Sequence, residues 1–232
     1  MDPRPGAAGA AGADTVRAPG LALMLALGLA LPGAAAAQGV ALSLEASREE
    51  TRLRYDDSPP RDTRITRLAA TLRETSRPGF QPGLTAGAVW LRQDGEPATE
   101  GLGLDGVFAG VLLRSRLPLG GGLALLGDAS WIWHDVDSRE DDRTTTLEWA
   151  ELEGRAGIAF DAGGWELAGG AFARSIDGDL RVEGESTRPV EGDEDTGAWG
   201  ELAIALDRTG AIVIHGEAGA RERLGVSVRR RF

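Results

Sequence analysis

The chain has no cysteine and no lysine, and among its 232 residues there are only two histidines and one tyrosine. Without thiols, neither a disulfide framework nor a thiolate metal site can form. All 25 basic residues are therefore arginine, set against 36 acidic ones, and a net charge of −11 lacks the surplus of positive charge on which phosphate-backbone binding depends. No nucleic-acid partner is expected. Aromatic residues make up 5%, too few for a typical packed soluble core of this size. Long apolar runs are missing as well. The longest, Leu21 to Leu31, is about 11 residues, well short of the ~20 that a membrane-spanning helix needs.

That run has a different reading. Arg4 and Arg17 precede it, and Pro32-Gly33 and Ala34-Ala35-Ala36-Ala37-Gln38 follow it. A basic segment, a short apolar core and small residues at a cleavage point are the three parts of a secretory signal peptide. Residues 1–37 are therefore expected to direct export and to be cleaved before Gln38, leaving one domain, 38–232.

What fills that domain is alternation. Val40, Leu42, Leu44 and Ala46 are apolar at every second position, with Ser43, Glu45 and Ser47 between them. A period of two is the mark of a strand with unlike faces. Leu84, Ala86, Ala88 and Trp90 repeat it, as do Leu123, Leu125, Ala129, Trp131 and Trp133, and Ala150, Leu152, Ala156, Ile158 and Phe160. Strands are expected at about 39–54, 62–76, 83–92, 101–116, 122–135, 145–160, 164–178, 196–206, 211–220 and 222–232. Ten strands is the expectation and eight the alternative, because the short final hairpin around Arg221 is the weakest signal.

The connections also alternate. Compact Gly/Pro turns at 78–79, 119–122, 161–164 and 207–210 separate longer acidic segments near 55–62, 93–100, 135–143 and 177–195. Those four segments total about −14 against −11 for the whole chain, so the remainder is slightly basic. Short turns at one rim and long loops at the other are the asymmetry of an outer-membrane barrel. A soluble β-sandwich or lipocalin-like barrel in the periplasm would show the same alternation, with its faces reversed. An apolar face rich in Leu, Ala, Gly and Trp suits lipid.

The chain ends at Phe232, with Leu224, Val226 and Val228 on one face of the last strand. This resembles the C-terminal assembly signal of outer-membrane proteins, from which Arg230 departs where an apolar or aromatic residue is usual. The mature chain is similar to the small barrels grouped around the outer-membrane proteins A and X, and less closely to autotransporter translocator domains. The resemblance implies an all-β, antiparallel up-and-down transmembrane barrel in the outer membrane of a Gram-negative bacterium. The implied partners are the barrel-assembly machinery and outer-membrane lipid or lipopolysaccharide.

If the apolar faces meet lipid, the opposite faces put Glu45, Arg67, Arg73, Asp105, Asp128, Glu151, Glu153, Arg155, Glu166, Arg174, Glu201, Glu217 and Arg229 in the lumen. A barrel of this size has little spare interior, so these charges should pair and plug it. The expected network is Glu151, Glu153, Arg155, Arg174, His215 and Glu217.

His215 shares a face with Glu217, and His134 sits beside Asp135; a His/carboxylate pair can serve as a general acid/base. Neither His has a Ser two residues away as in outer-membrane lipid hydrolases, and no Ser-centred Gly elbow is present. No catalytic residue, cofactor or metal site is therefore assigned. The acidic run 135–142 resembles a calcium loop only loosely, lacking the central Gly and the terminal Glu. A weak divalent cation at the acidic loops is the one ion expected. The expected function is non-enzymatic, in envelope structure or surface interaction. A narrow pore, a lipid-modifying enzyme and a soluble periplasmic barrel are the alternatives.

Overall fold

The computed structural model describes residues 39–232 apart from 57, 77–78, 96–97, 100 and 141–142. The expected signal peptide, 1–37, lies outside these residues. The described chain forms eleven strands: β1 (Val40–Tyr55), β2 (Arg61–Glu74), β3 (Phe80–Gln93), β4 (Leu104–Gly120), β5 (Leu123–Glu140), β6 (Arg143–Asp161), β7 (Trp165–Val182), β8 (Arg188–Gly192), β9 (Thr196–Ala205), β10 (Gly210–Gly219) and β11 (Arg221–Arg231).

Ten of them close a barrel. Each strand from β1 to β7, then β9, β10 and β11, pairs antiparallel with the next, and β11 returns to β1 from Ala41↔Arg231 to Thr51↔Arg221. Closure leaves no unpaired edge across the barrel, which a sheet needs in lipid because nothing there can satisfy a free N–H or C=O. The turns at one rim are tight. Gly120, Gly121 and Gly122 all have positive φ in the β4–β5 turn, a conformation open to glycine without steric strain. Both the described N-terminal end and Phe232 lie at this rim, where Gly39 N–H donates to the Phe232 carbonyl (3.0 Å).

The other rim is built differently. The strand β8 pairs with β7 (Asp177↔Glu191 to Leu180↔Arg188) and with β1 (Leu53↔Gly192 to Tyr55↔Val190). It bridges β7 to β1 directly, above the level at which β9, β10 and β11 end. The barrel therefore has ten strands in its lower tier and eight in its upper one. Ten strands is the expectation from sequence, and the final hairpin around Arg221 that the eight-strand alternative doubts is present as β10 and β11; the eight-strand upper ring arises instead from β8, which was not expected.

The two tiers have opposite polarity. In the lower tier the outer face is apolar: Leu72, Leu84, Val107, Val111, Leu125, Leu152, Ile158, Leu167, Ile214 and Leu224 are exposed. Trp90, Trp131 and Trp133 form the upper edge of this band, and Phe80, Phe160 and Trp165 the lower, with Phe160 and Trp165 in edge contact at 6.1 Å. Along β5 the band runs from Leu123 to Trp133, which is ~33 Å of strand at ~3.3 Å per residue and ~25 Å along the normal at a tilt of ~40°. That is the height of a lipid-facing band flanked by aromatic girdles. The chain is thus an outer-membrane-type β-barrel, inside-out relative to a soluble one.

Above the band the sign reverses. On β1, outward Leu42, Leu44 and Ala46 give way to Arg48, Glu50, Arg52 and Arg54, while inward Glu45, Ser47, Glu49 and Thr51 give way to Leu53 and Tyr55. The upper interior is an apolar core of Leu53, Tyr55, Ile65, Val89, Leu91, Leu104, Val136, Leu147, Trp149, Ile176, Leu180 and Val190. An eight-strand ring is just wide enough for side chains to fill.

The expected acidic loops are corrected here. Segment 135–143 is mostly the β5–β6 hairpin, and 177–195 contains the end of β7 and all of β8. Asp135, Asp137, Asp177, Asp179 and Arg181 lie on the outer face of strands that continue beyond the membrane, as they would in a soluble barrel.

Candidate functional site

At the junction of the tiers a layer of charge crosses the lumen. The strand β1 supplies Glu49, β2 Arg67, β6 Glu151, Glu153 and Arg155, β7 Arg174, β10 Glu217, and β11 Arg221 and Arg223, all inward by strand parity. Arg67 donates to Glu49 (2.5 Å) and reaches Glu151 at 3.5 Å. Arg174 reaches Glu49 at 3.2 Å and Arg155 reaches Glu217 at 2.7 Å. Arg221 bridges Glu151, Glu153 and Glu217 at once and lies 5.3 Å from the centre of the Phe172 ring. Just below, Arg223 pairs with Glu45 (2.5 Å), and His215 Nε2 lies 3.6 Å from the same carboxylate.

Including Glu45, the layer holds five glutamates and five arginines. Buried charge is tolerated when it is paired with opposite charge, and this layer is both neutral and cross-braced, although the Nε atoms of Arg67, Arg174 and Arg223 have no hydrogen-bond partner. Backbone joins it: Arg174 and the Thr51 hydroxyl donate to the Ala220 carbonyl at 2.8 and 3.2 Å, tying the β10–β11 turn into the ions.

The apolar core sits directly above. His134 is fully buried at the boundary, stacked on Trp149 with ring centres 4.2 Å apart and 2° between planes, with Phe108 on its other side. Described residues of the β3–β4 connection reach the top of this core. Ala98 and Leu102 pack on the core. Thr99 is buried and donates to Gln93 Oε1 (2.8 Å), whose amide nitrogen donates to Thr63 (2.9 Å) and to the Tyr55 hydroxyl.

Below the charged layer the wider ten-strand ring leaves a chamber of about 180 Å³, lined in part by Ser43, Arg73, Arg114, Asp128, Glu201 and Arg229. The Trp199 side chain fills one side of the lumen over Gly157, where any Cβ would stand 2.7 Å from the indole, and its Nε1 donates to the Ala171 carbonyl (3.2 Å).

Of the expected network, Glu151, Glu153, Arg155, Arg174 and Glu217 lie in the charged layer, and His215 lies beneath it against Glu45. Asp105 is the exception among the expected lumen charges. It faces outward on β4, directly across from Asp137, so it belongs to the surface. The strand carrying His134, expected to end at 135, continues to Glu140, so His134 lies well inside β5. Glu49, Arg221, Arg223, Arg114 and Arg116 were missed. Glu49 continues the Glu45 face two strand periods on, and Arg221 shares the phase of Arg229, so period-two counting could have found both. Ser47 shares a face with Glu45, but its hydroxyl accepts from Arg223 (3.3 Å), and the His215 contact is to Glu45.

The assembly-signal residues Leu224, Val226 and Val228 point outward on β11, with Phe232 at the lower rim. In the acidic stretch after β8, Asp193 is held by Arg54 (2.5 Å) and Arg52 (3.6 Å), and Glu194 pairs with Arg52. Two of the carboxylates expected to attract a divalent cation are thus already engaged. Among the described residues no cluster of three or more His, Asp or Glu has a metal-binding arrangement. Outside the membrane, Asp207 in the β9–β10 turn accepts from the Thr209 and Gly210 N–H groups (2.7 Å each) and the Thr209 hydroxyl (2.9 Å), which holds its carboxyl below the usual carboxylate range.

No protein-family model matches the chain, and no curated protein matches it in sequence. Among solved structures it is similar to the translocator domain of the autotransporter NalP from Neisseria meningitidis, at 10% identity and TM-score 0.48 over 92% of this chain and 95% of that one. It is also similar to the Bordetella autotransporter BrkA β domain (15%, TM-score 0.47, 83% and 100%) and to the outer membrane protease OmpT from Escherichia coli (8%, TM-score 0.44, 84% and 95%). These are likenesses of general architecture. The closed barrel itself stands on its own strand register.

Proposed function

We propose that the chain is a closed, non-enzymatic outer-membrane barrel that serves envelope structure or surface interaction rather than transport. One observation carries this reading: the lumen is crossed by a neutral layer of five Glu and five Arg and packed solid above it. A pore needs a continuous water path, and a packed apolar core offers ions no hydration.

What the molecule offers the outside is the upper tier, a rigid eight-strand barrel with a charged outer wall. Its charge is uneven. The register sets Asp105 opposite Asp137 and Glu148 between Asp135 and Asp179, with Arg181 reaching Glu148 (3.3 Å) and Asp179 (3.8 Å). Like charges directly opposed across strands are destabilising, so this face fits a surface-interaction role better than a stabilising one.

Purified protein in planar bilayers should show no stable conductance. Openings as large as those of a general porin would overturn the closed reading. The non-enzymatic reading is tested separately, by assaying the refolded protein for phospholipid and lipopolysaccharide hydrolysis. Turnover that disappears in His215→Ala would make this an enzyme.

A further inference from the structure

The charges of the lower chamber do not balance. Arg114 reaches Asp128 at 3.4 Å and Glu201 at 3.9 Å, and Arg229 reaches Glu201 at 3.5 Å. Arg73 has no carboxylate of the described residues within ion-pair distance, and the charges that act on it most strongly are those of Arg114, Arg229, Asp128 and Glu201. Three guanidinium groups thus share two carboxylates. The Arg73 Nε is buried with no hydrogen-bond partner, as are those of Arg67, Arg174, Arg223 and Arg229, but each of those guanidinium groups has a carboxylate in reach and Arg73 does not. Every charge of the layer above is matched, so this surplus is local to the chamber. An unmatched charge inside a barrel carries a desolvation penalty that a counter-ion would relieve.

We propose that the chamber binds a small oxyanion, a phosphate or carboxylate group, held chiefly by Arg73 and flanked by Arg114 and Arg229. A guanidinium presents paired N–H donors that match two oxygens of such a group. Ser43, Ser130 and Ser227 line the same space and add hydroxyl donors. A volume of about 180 Å³ is that of roughly six waters at ~30 Å³ each, well below the ~300 Å³ at which drug-sized pockets begin. The ligand is therefore a small ion or a single headgroup.

It enters from the rim that holds the termini. Side-chain exposure rises from 1% at Arg221 to 15% at Glu201, 25% at Arg229 and 35% at Arg116. The charged layer is the ceiling, so the chamber is a dead end that binds without conducting.

The test is isothermal titration of the refolded full chain in zwitterionic micelles, with inorganic phosphate against chloride at constant ionic strength. Wild type should bind phosphate saturably. Arg73→Gln should weaken binding about tenfold or more, since a bond to a charged partner is worth more than one to a neutral partner. Glu201→Gln frees a second guanidinium and should tighten it, which keeps the test sharp if Arg73→Gln folds poorly. Phosphatidylglycerol vesicles that stabilise the wild type but not Arg73→Gln, where free phosphate does nothing, would assign the oxyanion to a lipid headgroup. No response specific to phosphate or to this lipid, or one unchanged in both variants, would overturn the proposal.

Discussion

Arg221 shows how much a single side chain can hold when its whole environment is opposite charge. Its guanidinium touches three glutamates from two other strands, β6 and β10, and replacing it by Ala leaves them facing one another without their shared cation. Breaking a buried ion pair from one side costs ~3–5 kcal/mol, so Arg221→Ala should lower unfolding free energy by at least that, measured by denaturant titration of the refolded protein. Arg48→Ala, which removes an exposed, solvent-screened pair with Glu50, should leave it unchanged within the error of the titration. Asp207 is the residue-scale case for pH. Its folded pKa lies below the unfolded one, so the turn's stabilisation is present at neutral pH and lost as pH falls through the folded value. Amide exchange at Thr209 and Gly210 should therefore show a protection loss on acidification that Asp207→Asn lacks.

At the scale of elements, β8 decides whether the upper tier closes. It has five residues, yet it supplies the eighth strand of the upper ring and buries Val190 in its core. Val190→Asp should raise deuterium uptake in the upper parts of β1 and β7 while leaving the lower tier of β5 and β6 protected, as read by mass spectrometry. Uniform loss across both tiers would mean that they fold as one cooperative unit. The ten long strands were legible in the sequence to within a few residues because period-two alternation is set by the pleat itself. β8 was not. Five residues containing one buried Val carry too little pattern, and their partners are more than a hundred residues away on one side. The upper reach of β5 was misread for a related reason. Asp135-Val136-Asp137 keeps the same phase as Trp131-Ile132-Trp133 with the polarity of the outer face exchanged, and a rule tuned to apolar outward positions stops where water begins. The charged layer was half legible: Glu151, Glu153 and Arg155 lie within a clear alternation, whereas Arg221 fell where the last turn was expected.

For the molecule as a whole, the reversal of polarity fixes which surfaces meet lipid and which meet water on each side, and the absence of cysteine makes that testable at single positions. Arg64 lies on the outer wall of the upper tier, Leu84 and Ile158 within the apolar band, and Asp207 in a tight turn at the opposite rim. With short turns towards the periplasm, Arg64→Cys should react with a membrane-impermeant maleimide on intact cells. Asp207→Cys should react only after the outer membrane is permeabilised, and Leu84→Cys and Ile158→Cys should stay shielded until detergent replaces the bilayer. A lipid-facing thiol is shielded because the reagent, not the protein, is excluded, so denaturation must restore its labelling in full. Labelling of Asp207→Cys on intact cells would invert the orientation. Leu84→Cys reacting as fast as Arg64→Cys without detergent would remove the band from lipid altogether, and with it the account of why this barrel carries its glutamates and arginines on the inside.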